Sequence, residues 1–261
     1  MEKGVNAKMK FEDMLNTITL GDSYKLIKDI PDKSIDLVII DPPYLFQPGG
    51  LGIFKDRHTR YMDDIEEKKL NNNFDLSILD ELRRVLKAIN IYIWCNKAQI
   101  HQYLDYFEDK DCSNEFIIWE KTNPVPTING TYVNDKEYCL LFREYGKTEL
   151  YGDYSTRRTV YRTKCNKVDK DKYKHPTIKP LEIIKNLIIN SSKKGDIVLD
   201  CFSGSGTTCV AAKELERQFI GIEIDPEYHK ISIDRLNGIL ANGQISFDTI
   251  LEKEQMKNVK V

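Results

Sequence analysis

The sequence predicts an α/β fold, a mostly parallel sheet with helices packed on its faces. Two observations carry that expectation. Short β-branched runs alternate with amphipathic stretches through most of the 261 residues, the pattern of a parallel sheet flanked by helices. Late in the chain, "DIVLDCFSGSGTT" sets a glycine-rich turn directly between a strand and a helix, the local geometry of a βαβ unit.

Strands are expected, in chain order, at "SIDLVIID" ending at Asp41, "INIYIWC" ending at Cys95, "EFIIWEK" near Trp119, "EYCLLF" ending at Phe142, "DIVLDCF" ending at Phe202 and "QFIGIEI" ending at Ile224. Each is a short apolar run rich in β-branched or aromatic side chains. Helices are expected over 22–29, 75–88, 97–108, 179–191, 207–216 and 226–240, where the sequence turns amphipathic. Two segments interrupt the alternation: 47–73, with Gly49, Gly50, Gly52 and a mixed charge run, and 145–174. Long connections in a compact domain are usually functional or disordered. The chain therefore reads as one domain over 1–261, with 47–73 a mobile loop, 145–175 a short basic insertion and a frayed tail after Asn242.

A net charge of −2 and 41% hydrophobic residues exclude a disordered chain and a globally basic nucleic-acid binder. Any surface for nucleic acid must be local, and one is present. From Ser155 to Lys179 there are nine Lys/Arg, among them Arg157, Arg158, Arg162 and Lys164, interleaved with Tyr161 and Tyr173. Phosphate contacts are the natural use of such a segment; a solvated loop is the alternative. No apolar run approaches the roughly 20 residues that span a bilayer, and no signal-like start is visible, so a cytoplasmic protein is expected. The six cysteines form no C-x-x-C pair, and reduced, mostly buried thiols are expected rather than disulfides or a metal site.

In the glycine turn, Gly204 and Gly206 let the backbone approach a ligand while the helix starting near Thr207 offers free N–H groups. The next strand ends in "GIEID", which puts Glu223 23 residues beyond Asp200. A carboxylate at that distance suits two ribose hydroxyls. No G-K-[ST] follows the glycines, which disfavours a nucleoside triphosphate and leaves a dinucleotide or S-adenosylmethionine. Upstream, "KHPTIKPLEII" places Thr177 and Lys179 at a helix start, where a hydroxyl and an ammonium suit a carboxylate such as the methionine end of S-adenosylmethionine. His175 reads either as a loop histidine packed before proline or as a base.

"DPPY" follows the first expected strand. Pro42 and Pro43 stiffen the loop, so Asp41 and the Pro42 carbonyl converge as two fixed acceptors beside the Tyr44 ring. Two acceptors and a flat ring suit a planar amine. Accepting both N–H groups favours a pyramidal nitrogen, and Asp41 would stabilise the positive charge that develops when that nitrogen attacks a methyl sulfonium. A proline-rich turn without function is the plainer reading of "DPPY" taken alone.

Together "DPPY", "HPTIKP", "DCFSGSGTT" and "GIEID", in that order, resemble the amino-methyltransferases of DNA, specifically the permuted β group, in which the catalytic motif precedes the cofactor motif. The resemblance covers nearly the whole chain. It implies a Rossmann-like fold with a mostly parallel seven-stranded sheet ending in an antiparallel hairpin, S-adenosylmethionine as donor with S-adenosylhomocysteine as product, and no metal. It implies that Asp41, Pro42 and Tyr44 hold a flipped base. Phe202, Gly204, Gly206 and Thr207, with Asp200 and Ser205 in the same motif, would line the cofactor. Glu223 would bind its ribose, and Thr177 and Lys179 would lie near its carboxylate. Asp22 would approach the adenine of the cofactor or serve as a helix cap. Trp119, Lys121 and Asn123 would contact the extruded nucleotide, although strand packing explains Trp119 equally well.

The family contains adenine enzymes and enzymes for the exocyclic amine of cytosine, which more often begin the tetrapeptide with Ser; Asp41 points to adenine-N6. Reaching that amine in a duplex requires base flipping, for which 47–60 would act as a clamp. As a target-recognition segment 145–175 is short, which leaves open a short recognition site, one read partly by the 47–73 loop, a single-stranded substrate, or a homodimer with a larger footprint. A cognate restriction endonuclease is a further implied partner. The alternatives are the same chemistry on cytosine or RNA, the glutamine amide of a protein, and a non-catalytic nucleic-acid-binding subunit. The intact glycine turn and acid speak against the last.

Overall fold

The computed structural model describes residues 9–44, 75–124, 126, 132–165, 167–173, 175 and 177–246. In chain order the elements are α1 (Phe11–Met14), β1 (Thr17–Leu20), α2 (Ser23–Leu26) running into a 3-10 turn (Ile27–Asp29), β2 (Leu37–Ile40), α3 (Ile78–Val85), β3 (Asn90–Cys95), α4 (Ile100–Phe107) and β4 (Cys112–Lys121). There follow β5 (Lys136–Glu144), β6 (Val160–Thr163), α5 (Lys167–Tyr173), α6 (Leu181–Ser191), β7 (Ile197–Asp200), α7 (Thr207–Glu214), β8 (Gln218–Glu223) and α8 (Pro226–Leu236).

The strands form one sheet in the order β1-β8-β7-β2-β3-β5-β4-β6. Every pairing is parallel except those of β5, which runs antiparallel to β3 and β4. The central strands are apolar on both faces because both faces are covered. All four residues of β2 and all six of β3 are buried. Alternation divides them: Val38, Ile40, Ile91 and Ile93 face a layer with α3 and α4, whereas Leu37, Ile39, Tyr92 and Trp94 face a layer with α6 and α7.

The sheet has eight strands among the described residues, one more than the resemblance implies. The two strands without a sequence signal are its edges. β1 ("TITL") and β6 ("VYRT") are each four residues long and half polar, so neither presents a long apolar run. The expected loop at 145–174 therefore contains β6 and α5. Helix ends also shift: α3 stops at Val85 because Leu86 is extended and bridges Ile35, and α8 stops at Leu236, with Gly238 at φ +70° just beyond. The 47–73 segment and residues 247–261 lie outside the described residues. No described helix is long and apolar enough to cross a membrane.

Candidate active site

Parallel strands bring their C-terminal ends to one edge, and three adjacent ends carry the motifs. Asp41 follows β2, Asp200 ends β7 and Glu223 ends β8. Between β7 and β2 the following helices go to opposite faces: Ala211 and Ala212 of α7 pack on one layer, Leu79 and Leu82 of α3 on the other. Such a reversal opens a crevice beyond the strand ends, where ligands of open α/β sheets bind.

The turn after β7 is locked by its own backbone and by Glu223. Phe202 N donates to Asp200 Oδ1 at 3.1 Å, Gly206 N to the Ser203 carbonyl at 2.7 Å and Gly204 N to Glu223 Oε2 at 2.6 Å. Gly204 and Gly206 sit at φ +49° and +74°, and a Cβ on Gly206 would fall 2.9 Å from Ser232 Cβ. Side chains are excluded there by both conformation and space. The other Glu223 oxygen accepts Asp225 N–H at 2.8 Å. Burial pushes the Glu223 carboxyl up while these backbone donors oppose it. Asp200 is buried and pushed up to about 7 by desolvation, with Thr208 and the Phe202 N–H pulling the other way.

A guanidinium braces the same turn. Arg235 of α8, buried, donates to Thr207 Oγ1 at 2.7 Å, Ser205 Oγ at 3.1 Å and the Ser205 carbonyl at 3.3 Å, and its other face lies 4.9 Å from the Tyr173 ring. The sequence offers no sign of this, since an arginine in the last turn of an amphipathic helix is ordinary.

At the end of β2, Asp41 Oδ2 accepts the Lys179 ammonium, which also lies 3.2 Å from Glu137 Oε2. Glu137 Oε1 pairs in turn with Lys121 at 2.6 Å. The Lys179 ammonium stands 5.3 Å from the Tyr44 ring centroid and 5.2 Å from that of Trp94. Burial pushes the Asp41 carboxyl up, more than Lys179 lowers it. Burial would also raise Glu137, but Lys179 and Lys121 outweigh it and hold the carboxyl below its ordinary value. The loop itself is tied by Gln99, fully buried, whose Nε2 donates to the Pro43 carbonyl at 3.2 Å. Neither Glu137 nor Gln99 stands out in sequence; an acid opening a strand and an amide before a helix both look like surface residues.

The structure brings Asp41, Pro42, Pro43 and Tyr44 to the same sheet edge as Asp200, Phe202, Gly204, Ser205, Gly206, Thr207 and Glu223. Lys179 is committed to two protein carboxylates. Thr177 is exposed, and its N–H reaches His175 Nδ1 at 3.3 Å. His175 is buried against the Tyr228 ring. Asp22 caps α2, accepting Tyr24 N–H at 3.0 Å. Lys121 is engaged by Glu137, and Asn123 Oδ1 accepts Cys165 N–H at 2.6 Å. Arg157, Arg158, Arg162 and Lys164 are exposed at the β6 edge of the sheet or on the turn before it. Arg157 donates to the Leu150 carbonyl, Arg158 lies over the Tyr154 ring and Arg162 pairs with Glu120 at 2.8 Å.

Comparison with known proteins places this geometry in a family. Type II methyltransferase M.HinfI of Haemophilus influenzae is 34% identical over 266 residues, spanning 90% of this chain and 72% of that protein. Type II methyltransferase M2.LlaDCHI of Lactococcus lactis subsp. cremoris is 34% identical over 238 residues, spanning 83% of this chain and 87% of that one. Among solved structures, the M1.HpyAVI–SAM complex matches with a TM-score of 0.65 and 29% identity over 85% of this chain and 98% of that one. The cytosine-N4-specific PvuII DNA methyltransferase, at 18% identity, shares the fold with a TM-score of 0.63 over 84% of this chain and 85% of its own. A DNA methylase family of the N6/N4 type matches residues 35–234. The chain belongs to the N6/N4 DNA methylase family.

Proposed function

We propose that this chain transfers a methyl group from S-adenosylmethionine to the exocyclic N6 of an adenine flipped out of DNA. The observation that carries the reading is the placement of Asp41, first of the Asp-Pro-Pro-Tyr turn, just beyond the C-terminal end of β2, beside the ends of β7 and β8 that carry the glycine turn and Glu223. The residues fit the cofactor. Both Glu223 oxygens are aimed by backbone N–H groups, and each keeps a lone pair for a ribose hydroxyl. Gly204, Gly206, Ser205 and Thr207 would hold the cofactor on the turn, with Phe202 and Asp200 beside it. When bound, S-adenosylmethionine supplies the electrophilic methyl sulfonium.

The protein's part is acceptor chemistry. Asp41 and the Pro42 carbonyl take the two amine N–H groups, Tyr44 stacks on the base, and Asp41 stabilises positive charge as it develops on nitrogen. Pro43 keeps the loop stiff. Flipping costs about a few kcal/mol, which the exposed Arg157, Arg158, Arg162 and Lys164 would help offset through phosphate contacts. Thr177, Asp22 and Asn123 remain candidates for cofactor or nucleotide contact. Lys179, given to Asp41 and Glu137, serves the acceptor rather than the cofactor carboxylate, and Lys121 acts from behind Glu137. A cytoplasmic location, a homodimer with a larger DNA footprint and a cognate restriction endonuclease are proposed with it on the strength of the resemblance alone.

Adenine rather than cytosine rests on Asp41 in place of the serine more usual for cytosine enzymes. The test is methyl transfer from labelled S-adenosylmethionine to unmethylated genomic DNA, followed by nucleoside mass spectrometry. N6-methyladenine is expected; N4-methylcytosine overturns the base assignment. Transfer to RNA in preference to DNA overturns the substrate.

A further inference from the structure

The catalytic carboxylate, 26% exposed in its side chain, is not left to solvent alone; it shares a cation. Lys179, only 8% exposed in its side chain, bonds Asp41 Oδ2 and stands 3.2 Å from Glu137 Oε2, while Lys121 holds the far Glu137 oxygen at 2.6 Å. Three elements build this chain of alternating charge. Asp41 comes from the end of β2 and Glu137 from the start of β5. Lys179 comes from the segment leading into α6, which Pro180 starts. Register supplies the last link, because Trp119 pairs with Glu137 across the β4–β5 hairpin and Lys121 ends β4 on the same side.

An ammonium paired with Asp41 alone would neutralise the acceptor the amine needs. Divided between two carboxylates, it neutralises each less. A like charge nearby raises a carboxylate's affinity for a proton, and with it its strength as a hydrogen-bond acceptor. We propose that Glu137 is a positioning residue for methyl transfer: by sharing Lys179 it keeps Asp41 fixed by one oxygen and still strongly accepting. This rests on the reading of Asp41 as the amine acceptor. A stronger acceptor matters most when the amine nitrogen becomes positive, so the effect belongs to the transition state.

The titratable groups facing the pair come from every side. Tyr44 follows β2, Cys95 lies on β3, Cys139 on β5, Lys121 on β4, Lys170 on α5, Tyr103 on α4 and Asp200 on β7. Burial pushes the thiols and the two tyrosines up, so they remain neutral through the working range. Burial lowers Lys170. Asp200 is bonded by Thr208 and the Phe202 N–H and does not touch Glu137. A displaced acid limb on changing Glu137 therefore reports Asp41.

The experiment is kcat against pH for the full-length enzyme with duplex DNA and labelled S-adenosylmethionine. In Glu137→Gln the plateau kcat is expected to fall about tenfold, with KM for S-adenosylmethionine within about twofold, because only a transition-state interaction is weakened. The acid limb is expected to move to lower pH by about one unit, since a neighbouring negative charge is gone. A fall in kcat with the limb unmoved overturns the proposal, as it would mark a packing role. Glu137→Gln/Lys121→Met removes one charge of each sign and keeps the cluster balanced should the single variant fold poorly. A smaller displacement in the same direction is expected from it, because the lost Lys121 charge, farther from Asp41, offsets part of the lost Glu137 charge; a limb at the wild-type position again overturns the proposal. Asp41→Ala run in parallel separates the two levels. Full activity there overturns the reading of Asp41 itself, whereas an inactive Asp41→Ala beside a wild-type-like Glu137→Gln overturns only the sharing of Lys179.

Discussion

Glu223 Oε2 accepts the Gly204 N–H at 2.6 Å, so the acid at the end of β8 and the glycine turn after β7 are one rigid unit before any cofactor arrives. With Asp225 N–H on the other oxygen, the carboxylate cannot rotate. Glu223→Gln would turn an amide NH2 toward one of these donors and remove the charge. A charge-assisted hydrogen bond is worth roughly 1.5–3 kcal/mol, so S-adenosylmethionine affinity should drop by about 10–100-fold. Calorimetric titration measures it, and an unchanged Kd would remove Glu223 from the cofactor site.

Gly206 offers a prediction about the turn itself. At φ +74°, with Ser232 Cβ 2.9 Å from where its own Cβ would be, Gly206→Ala combines left-handed strain with a clash. The combined cost is about 1–3 kcal/mol. Thermal unfolding followed by circular dichroism should show a Tm lower by several degrees. Equal stability would mean that α8 yields at Ser232.

Asp41→Ala should lower kcat by about a thousandfold or more, the scale of removing a transition-state stabiliser, while leaving S-adenosylmethionine binding within about threefold. In the wild-type enzyme Asp41 acts ionised, and burial raises its pKa. Activity should therefore be full above that raised value and be lost as pH falls through it. Radiolabel transfer measured from acid to neutral pH reads this directly; a rate that stays flat into acid would rule out Asp41 as the acceptor.

The exposed cations at the β6 edge give a prediction in salt. Arg157 and Arg158 are both exposed, and each phosphate contact contributes about −0.9 to the slope of log K against log salt. Arg157→Gln/Arg158→Gln should flatten that slope by about 1.8 if both reach phosphate, read by fluorescence anisotropy on duplex DNA across a salt series. An unchanged slope would place the DNA elsewhere.

The parts of this site legible in the sequence are those where one short stretch makes both the element and the chemistry. "DLVIID" closes β2 on Asp41, "DIVLD" closes β7 on Asp200 and "FIGIE" closes β8 on Glu223, so each motif marks its own strand end. What escaped depends on distant pairing. Glu137 meets Lys121 only through the β4–β5 register, and Arg235 meets Ser205 and Thr207 across 30 and 28 residues. Lys179 shows the same limit: its motif marks a helix start near an anion, but only the fold reveals that the anions are Asp41 and Glu137. The edge strands β1 and β6 lack a signal because half their residues face outward or carry polar groups.

Asp200 yields the last prediction, on stability against pH. Its carboxyl is buried and pushed up to about 7 by desolvation, against an ordinary value near 3.9 in the unfolded chain. Between those values the folded state holds this proton more tightly than the unfolded state, so the contribution of Asp200 to stability is greatest at low pH and declines as pH rises through the window. Asp200→Asn removes the titration while keeping an oxygen for the Phe202 N–H, which now donates at 3.1 Å. Urea unfolding at pH 5 and pH 8 should show the variant gaining on the wild type at the higher pH, with the wild type's decline across the window flattened. A variant that gains nothing on the wild type between pH 5 and pH 8 would mean that the charged carboxylate, bonded by Thr208 and the turn, is held as well as the neutral one.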